Sequence, residues 1–213
     1  MARSFVVTFD VQKAERLAEK FGLLSADQIG RVTVPVLNQV TERTYDLARE
    51  RITTGINLTD DYLRKRMSVA PATGAKPSAS ITALGDKSTL TPLSRYDAKM
   101  VLLPKRYPRN RGTGLLPLNG QRQAGVNVGV TRGTEKDISY AFMLPLRKGN
   151  VAGGNGLGVF TRPKDGGKYR HRYGPQVYQL FAYQASRIED DVLDDMESSL
   201  TAAVVKATED YLK

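Results

Sequence analysis

The sequence predicts an α+β fold: a small, mostly antiparallel β-sheet with a long N-terminal helix and a long C-terminal helix, plus extended loops or arms. Three observations predict it. Apolar residues recur every three or four positions from about residue 27 to 53, and again from residue 193 onwards. Between these stretches lie short β-rich runs separated by Gly and Pro. The 213 residues suit a single domain with arms. Its parts are an N-terminal extension over 1–24, a helical part over 25–70, a β region over 78–172 and a C-terminal helix over 174–213.

The elements follow in chain order. Residues 4–9 are β-rich and predict a short strand, and Gln12 to Phe21 reads as a short helix. Ser25 is placed to cap a helix whose apolar stripe, including Ile29, Val36, Leu37, Val40, Leu47 and Ala48, extends to about Thr53. Gly55 suits its C-terminal end. Thr59 precedes a second, short helix. Asp60 and Asp61 sit in its first turn and Arg64, Lys65 and Arg66 in its last, matching the helix dipole at both ends. Pro71 to Pro77 reads as a linker. Strands are expected at 80–84, 126–130, 141–144 and 158–162. The segment 105–123 is rich in Gly, Pro and basic residues and reads as a long loop or arm that orders on a neighbouring subunit or on nucleic acid. Pro175 suits the first turn of the last helix. Its stripe of Leu193, Met196, Leu200, Val204, Ala207 and Tyr211 is reset near Ser186, where a bend is expected.

Composition removes whole classes of chemistry. Cysteine is absent, so disulfides, thiolate nucleophiles and cysteine metal sites are all impossible. His171 is the single histidine, which leaves little material for imidazole catalysis or metal binding. It is read as a polar surface or interface residue. Gly153 to Gly158 resembles a phosphate loop at first sight. However, no Gly-Lys-Ser/Thr follows it and no helix begins after it, so it reads as a turn between strands. The C-terminal carboxylates lack the further oxygen ligands a hard cation needs. The expectation is therefore no catalytic site, no cofactor and no metal. No apolar run reaches the ~18–20 residues that cross a bilayer, and the N-terminus does not read as a signal peptide, so a cytoplasmic site of folding without membrane contact is expected.

Charge is segregated. The net charge is +10, yet between Lys99 and Arg172 the only acids are Glu135, Asp137 and Asp165. The last helix reverses the sign with Glu189, Asp190, Asp191, Asp194, Asp195 and Glu197. Such a division attracts phosphates, and it also lets the basic part of one copy meet the acidic part of another. Lys105, Arg106, Arg109, Arg111 and Arg122 are the candidates for contact with DNA in a channel or with an adjacent ring. Arg170 and Arg172 on one side, and Asp190, Asp191, Asp194 and Asp195 on the other, are the candidates for a subunit interface.

One stretch carries a resemblance. Gly158-Val159-Phe160-Thr161-Arg162, a short basic insert and Tyr173-Gly174-Pro175-Gln176-Val177 together resemble the C-terminal signature of the minor tail protein Z family of tailed phages, also called tail completion or neck proteins. Gly158, Val159, Phe160, Arg162, Gly174 and Pro175 are the matching positions, while Gln176 stands where the family more often has Ser. The order of elements over residues 28–185 is compatible, although the wording matches only over 158–177. The N-terminal extension, the basic loop and the acidic last helix depart from the family layout. The resemblance implies a structural virion protein, assembled in the host cytoplasm, that finishes the head-proximal end of the tail and joins tail to head. It further implies a ring of six copies, with twelve as the alternative. The expected partners are the tail terminator and the head-closure or connector proteins, with sequence-blind contact to genome DNA. The alternative reading is a sequence-nonspecific DNA-binding protein.

Overall fold

A thirty-residue helix, α1 (Ala26–Gly55), carries the first apolar stripe. Thr33, Val36, Leu37, Val40, Thr41, Thr44, Ala48 and Ile52 are all buried, at the spacing of three and four that puts side chains on one face. Three of these are threonines. The hydroxyls of Thr41 and Thr44 donate to the carbonyls of Leu37 and Val40 one turn back, which satisfies them inside the apolar face. Pro35 lies within the helix on its exposed side.

In this computed structural model the described residues are 5–10, 26–76, 78–85, 90–104, 121–146, 156–163 and 167–211. After β1 (Phe5–Asp10) and α1 come α2 (Asp60–Arg64), β2 (Met67–Ala70), β3 (Ser78–Ala83), β4 (Ala98–Pro104), β5 (Gln121–Val128), β6 (Lys136–Ile138), β7 (Ala141–Pro145), β8 (Leu157–Thr161), β9 (Arg170–His171) and α3 (Val177–Tyr211). The fold is α+β, with a long helix towards each end and small antiparallel sheets between. The strands form three three-stranded sheets, in the orders β1-β3-β2, β4-β5-β6 and β7-β8-β9. The expected helix over 12–21 and the Ser25 cap lie outside the described residues.

The chain forms two compact units. The first contains α1 as far as Ile52, the segment Asp60–Thr89 and everything from Val177 onwards. β3 alternates as a half-buried strand should: Ala79, Ile81 and Ala83 point inward and are fully buried. It pairs with β1 on one side and β2 on the other. Residues 71–76 of the expected linker are instead part of the connection of the β2–β3 hairpin, and Pro77 lies outside the described residues. Thr73 and Lys76 exchange backbone hydrogen bonds across it, and the Asn38 amide of α1 both donates to and accepts from Ala72. β2 was hidden in the stretch read as helical, because four residues are too few to show a period. In α3, Val177, Phe181, Ile188, Met196 and Leu200 are buried and form one stripe that runs past the exposed Ser186 without a reset. Leu193, expected in the stripe, is 40% exposed at its flank. α3 starts at Val177, two residues after the Pro175 start that was expected.

The second unit contains Thr53–Thr59 and Leu90–Gln176. Gly55 ends α1 without a left-handed conformation, contrary to a glycine cap; among the described glycines only Gly133 has positive φ. The cap comes from elsewhere: Arg132 donates its backbone N–H to the Gly55 carbonyl and its Nε to the Thr53 carbonyl. Asn57 then bonds Val130 and Gly129. In the β4–β5 pair the register slips between Val101 and Leu102, which leaves Ala124 as the extra residue of a bulge. Beside it, the Gln123 side chain acts as a strand mimic. Its Nε2 donates to the Met143 carbonyl at 3.0 Å and its Oε1 accepts from the Met143 N–H at 2.7 Å, closing the free edge of β7.

Candidate functional site

The sheet β7-β8-β9 brings the chemistry-bearing residues together. Along β7 and β8 side chains alternate between two faces. Ala141, Met143, Val159 and Thr161 are buried on one face, while Phe142 and Phe160 are half-buried on the other. Register then does what composition cannot. Phe142 pairs with Phe160, and Phe160 pairs with His171, so three rings from three strands form one row. Phe142 and Phe160 stack with centroids 6.4 Å apart, and Phe160 and His171 stack at 4.7 Å. Tyr169 meets Phe142 edge-on at 5.0 Å, and Tyr173 lies 4.4 Å from His171. The two tyrosines at the ends of the row are the most open, at 48% and 44% exposure.

Cations border the row. The Arg162 guanidinium stands 5.2 Å from the Tyr169 ring centroid and donates to its hydroxyl at 2.7 Å. Together with Gly167 and Lys168, these two residues line a shallow, open depression. Lys168 is exposed on the same side; Arg170 and Arg172 are exposed too, but alternation along β9 places them on the face of Thr161, opposite His171. Arg172 is also tied down, through its N–H to the Val159 carbonyl and its Nε to the Thr161 hydroxyl.

His171 is the residue read from sequence as a polar surface or interface position. It is half-buried in the ring row, and its Nε2 is enclosed without a hydrogen-bond partner among the described residues. Burial pushes its pKa below the ordinary 6.5, because the cationic imidazole would lose its water. Gly158 makes this packing possible. A Cβ there would stand 2.8 Å from His171 Nε2, from Leu146 Cδ2 and from Phe160 Cε2. Gly174 is held by a second ring. Tyr96 is fully buried, follows the short 3-10 turn Leu93–Arg95, and donates its hydroxyl to the Pro175 carbonyl. Its ring lies where a Gly174 side chain would be.

The signature positions Gly158, Val159, Phe160, Arg162, Gly174 and Pro175 thus converge. Val159 anchors the buried face; the others build the ring row, its cationic border and the approach to α3. Of the basic-loop residues, Arg122 lies in β5 rather than in a loop, where it pairs with Leu103 and is exposed. Lys105, Arg106, Arg109 and Arg111 lie outside the described residues. The acidic residues belong to the first unit. Asp191 pairs with Arg51 at 3.1 Å and Asp195 with Arg43 at 2.9 Å, both within the chain, while Asp190 and Asp194 are exposed. Phe142, Tyr96 and Tyr169 were missed as site residues. The local signal was the outward position of Phe142 in an alternating strand, but its partner depends on register. Among the described residues no group of three His, Asp or Glu side chains could hold a metal ion, and no helix is long and apolar enough to cross a membrane.

Comparison with protein-family models, with curated proteins and with solved structures finds no match to the chain.

Proposed function

We propose that this chain is a structural, non-enzymatic component of a tailed-phage particle: a tail completion or neck protein that finishes the head-proximal end of the tail and joins it to the head. The observation that supports this reading is where the signature residues fall. They build an outward, ring-rich and cation-bordered face on a small sheet, and such a surface suits contact with another macromolecule. In the particle the chain works as a ring of six copies, or twelve, next to the tail terminator and the head-closure proteins. Its basic surface tolerates DNA through backbone charge alone. Negative-stain microscopy of a lysate from a phage with this gene disrupted tests the reading. Full heads beside separate or unstable tails support it, and intact infectious particles overturn it.

A second reading, a sequence-nonspecific DNA-binding protein, is favoured by the Arg162 guanidinium and the exposed Lys168 beside the Tyr169 ring. It requires tight duplex binding by the isolated chain that weakens steeply with salt.

A further inference from the structure

We propose that the outward face of β7-β8-β9 is a binding site for single-stranded nucleic acid, read without regard to sequence. The inference deepens the second reading by naming the strand state and the site, and it does not depend on a place in a phage particle.

Three observations carry it. First, the row Tyr169–Phe142–Phe160–His171–Tyr173 is continuous, with neighbouring centroids between 4.4 and 6.4 Å apart. A strand of unpaired bases can stack on rings at its open ends, because every base has a π-face. Second, the open ends are tyrosines at 48% and 44% exposure, so rings are available at both ends of the row. Third, the charge around the row is complementary to a phosphate backbone. At the Tyr169 end the exposed Arg162 and Lys168 line an open depression together with that ring, and no carboxylate among the described residues lines it. An apolar protein partner would leave these cations unpaired, and a duplex would offer them phosphates but keep its bases stacked away from the rings. A single strand uses both features. His171 fits this arrangement as a neutral ring, since its burial disfavours the proton.

The test is fluorescence anisotropy with the purified full chain and a labelled thymidylate oligomer of about 20 nucleotides, a length that spans one site of this class. A duplex of the same length and a poly-glutamate peptide serve as comparison ligands. The expected result is preference for the single strand over both. Tyr169→Ala and Tyr173→Ala should each weaken it by roughly fivefold or more, the scale of one lost base–ring stack. Lys168→Gln, at the exposed cation beside Tyr169, should weaken it and flatten the salt dependence. Both tyrosines are exposed, so the variants should fold; circular dichroism checks this, and Tyr169→Phe and Tyr173→Phe, which keep the rings, should retain binding. Equal affinity for duplex overturns the proposal, as do ring variants that bind like the parent. Equal binding of poly-glutamate, unaffected by loss of the rings, reassigns the face to an acidic protein partner and overturns it too.

Discussion

Replacing Gly174 by alanine adds one methyl group, and the structure indicates what that methyl meets. It would press on Cε2 of Tyr96, with Cδ2 and Cζ at 2.9 and 3.0 Å. Its backbone angle is not in the left-handed region, so the glycine is needed for space and not for conformation. Tyr96 cannot yield easily. It is fully buried, and its hydroxyl is bonded to the carbonyl of Pro175, the residue next to the substitution. Keeping the ring in place means overpacking, at about 1–3 kcal/mol. Letting it swing strands a buried hydroxyl and carbonyl, at a similar cost of about 1–3 kcal/mol. Either route gives a loss of about 1–3 kcal/mol. In a chain of this size that lowers the melting temperature by about 2–12 °C. Thermal unfolding followed by circular dichroism measures it. The sharper test is a double-mutant cycle with Tyr96→Ala, which removes the ring: Gly174→Ala should then cost little. A Gly174→Ala protein melting within about 2 °C of the parent, or an equal cost with and without the Tyr96 ring, would refute this account of the contact.

Arg49 is buried, with its side chain 7% exposed, and its guanidinium binds Asp60 through Nε and Nη2 and Asp46 through Nη1. Arg49→Met should cost about 1–2 kcal/mol in urea denaturation, below the figure for a fully buried pair because both carboxylates stay in contact with water. Hydrogen bonds from Arg49 and then Arg64 hold the Asp60 carboxyl below the ordinary 3.8. Its contribution is therefore present above pH 3.8 and lost as pH falls through the lower folded value, so the variant should lose part of the acid-limb slope. His171 follows the opposite chemistry with the same sign. The fold favours the neutral ring, the unfolded chain takes up the proton first, and stability should fall as pH drops below 6.5 towards the lower folded pKa. As the single histidine, it can be titrated directly by NMR, and an imidazole pKa at or above 6.5 would contradict its burial. Gln123→Leu removes both hydrogen bonds to Met143. It should cost about 1–2 kcal/mol and lower the hydrogen-exchange protection of the Met143 amide, while Gln123→Glu should leave the acceptor half of the contact.

The parts of this protein that were legible in sequence are those whose signal is local. α1 and α3 announce themselves because an amphipathic helix repeats its pattern every turn, independently of what it packs on. The charges flanking α2 were readable for the same reason: Asp60, Asp61 and Arg64 respond to the helix they sit in. The strands β1, β3, β7 and β8 were located within one or two residues, and β5 in its second half only, because β-branched and aromatic runs favour extended backbone. β2, β4, β6 and β9 were not read as strands. Two to seven residues carry little periodicity, and β4 begins Ala-Lys and ends in Pro. Only tertiary structure decided which strand lies beside which, and so gathered the strands into three sheets and turned residues 71–76 into part of a hairpin connection. It also decided the site. Phe142, Phe160 and His171 are separated by 18 and 11 positions along the chain and become neighbours through two registers. Gly158 and Gly174 were visible as signature letters, but the reason each must be glycine is a ring that arrives from elsewhere in the chain. Helix periodicity is a property of consecutive residues and can be read from them. Strand register and ring contact are properties of pairs brought together by folding, and a single sequence does not say which pairs those are.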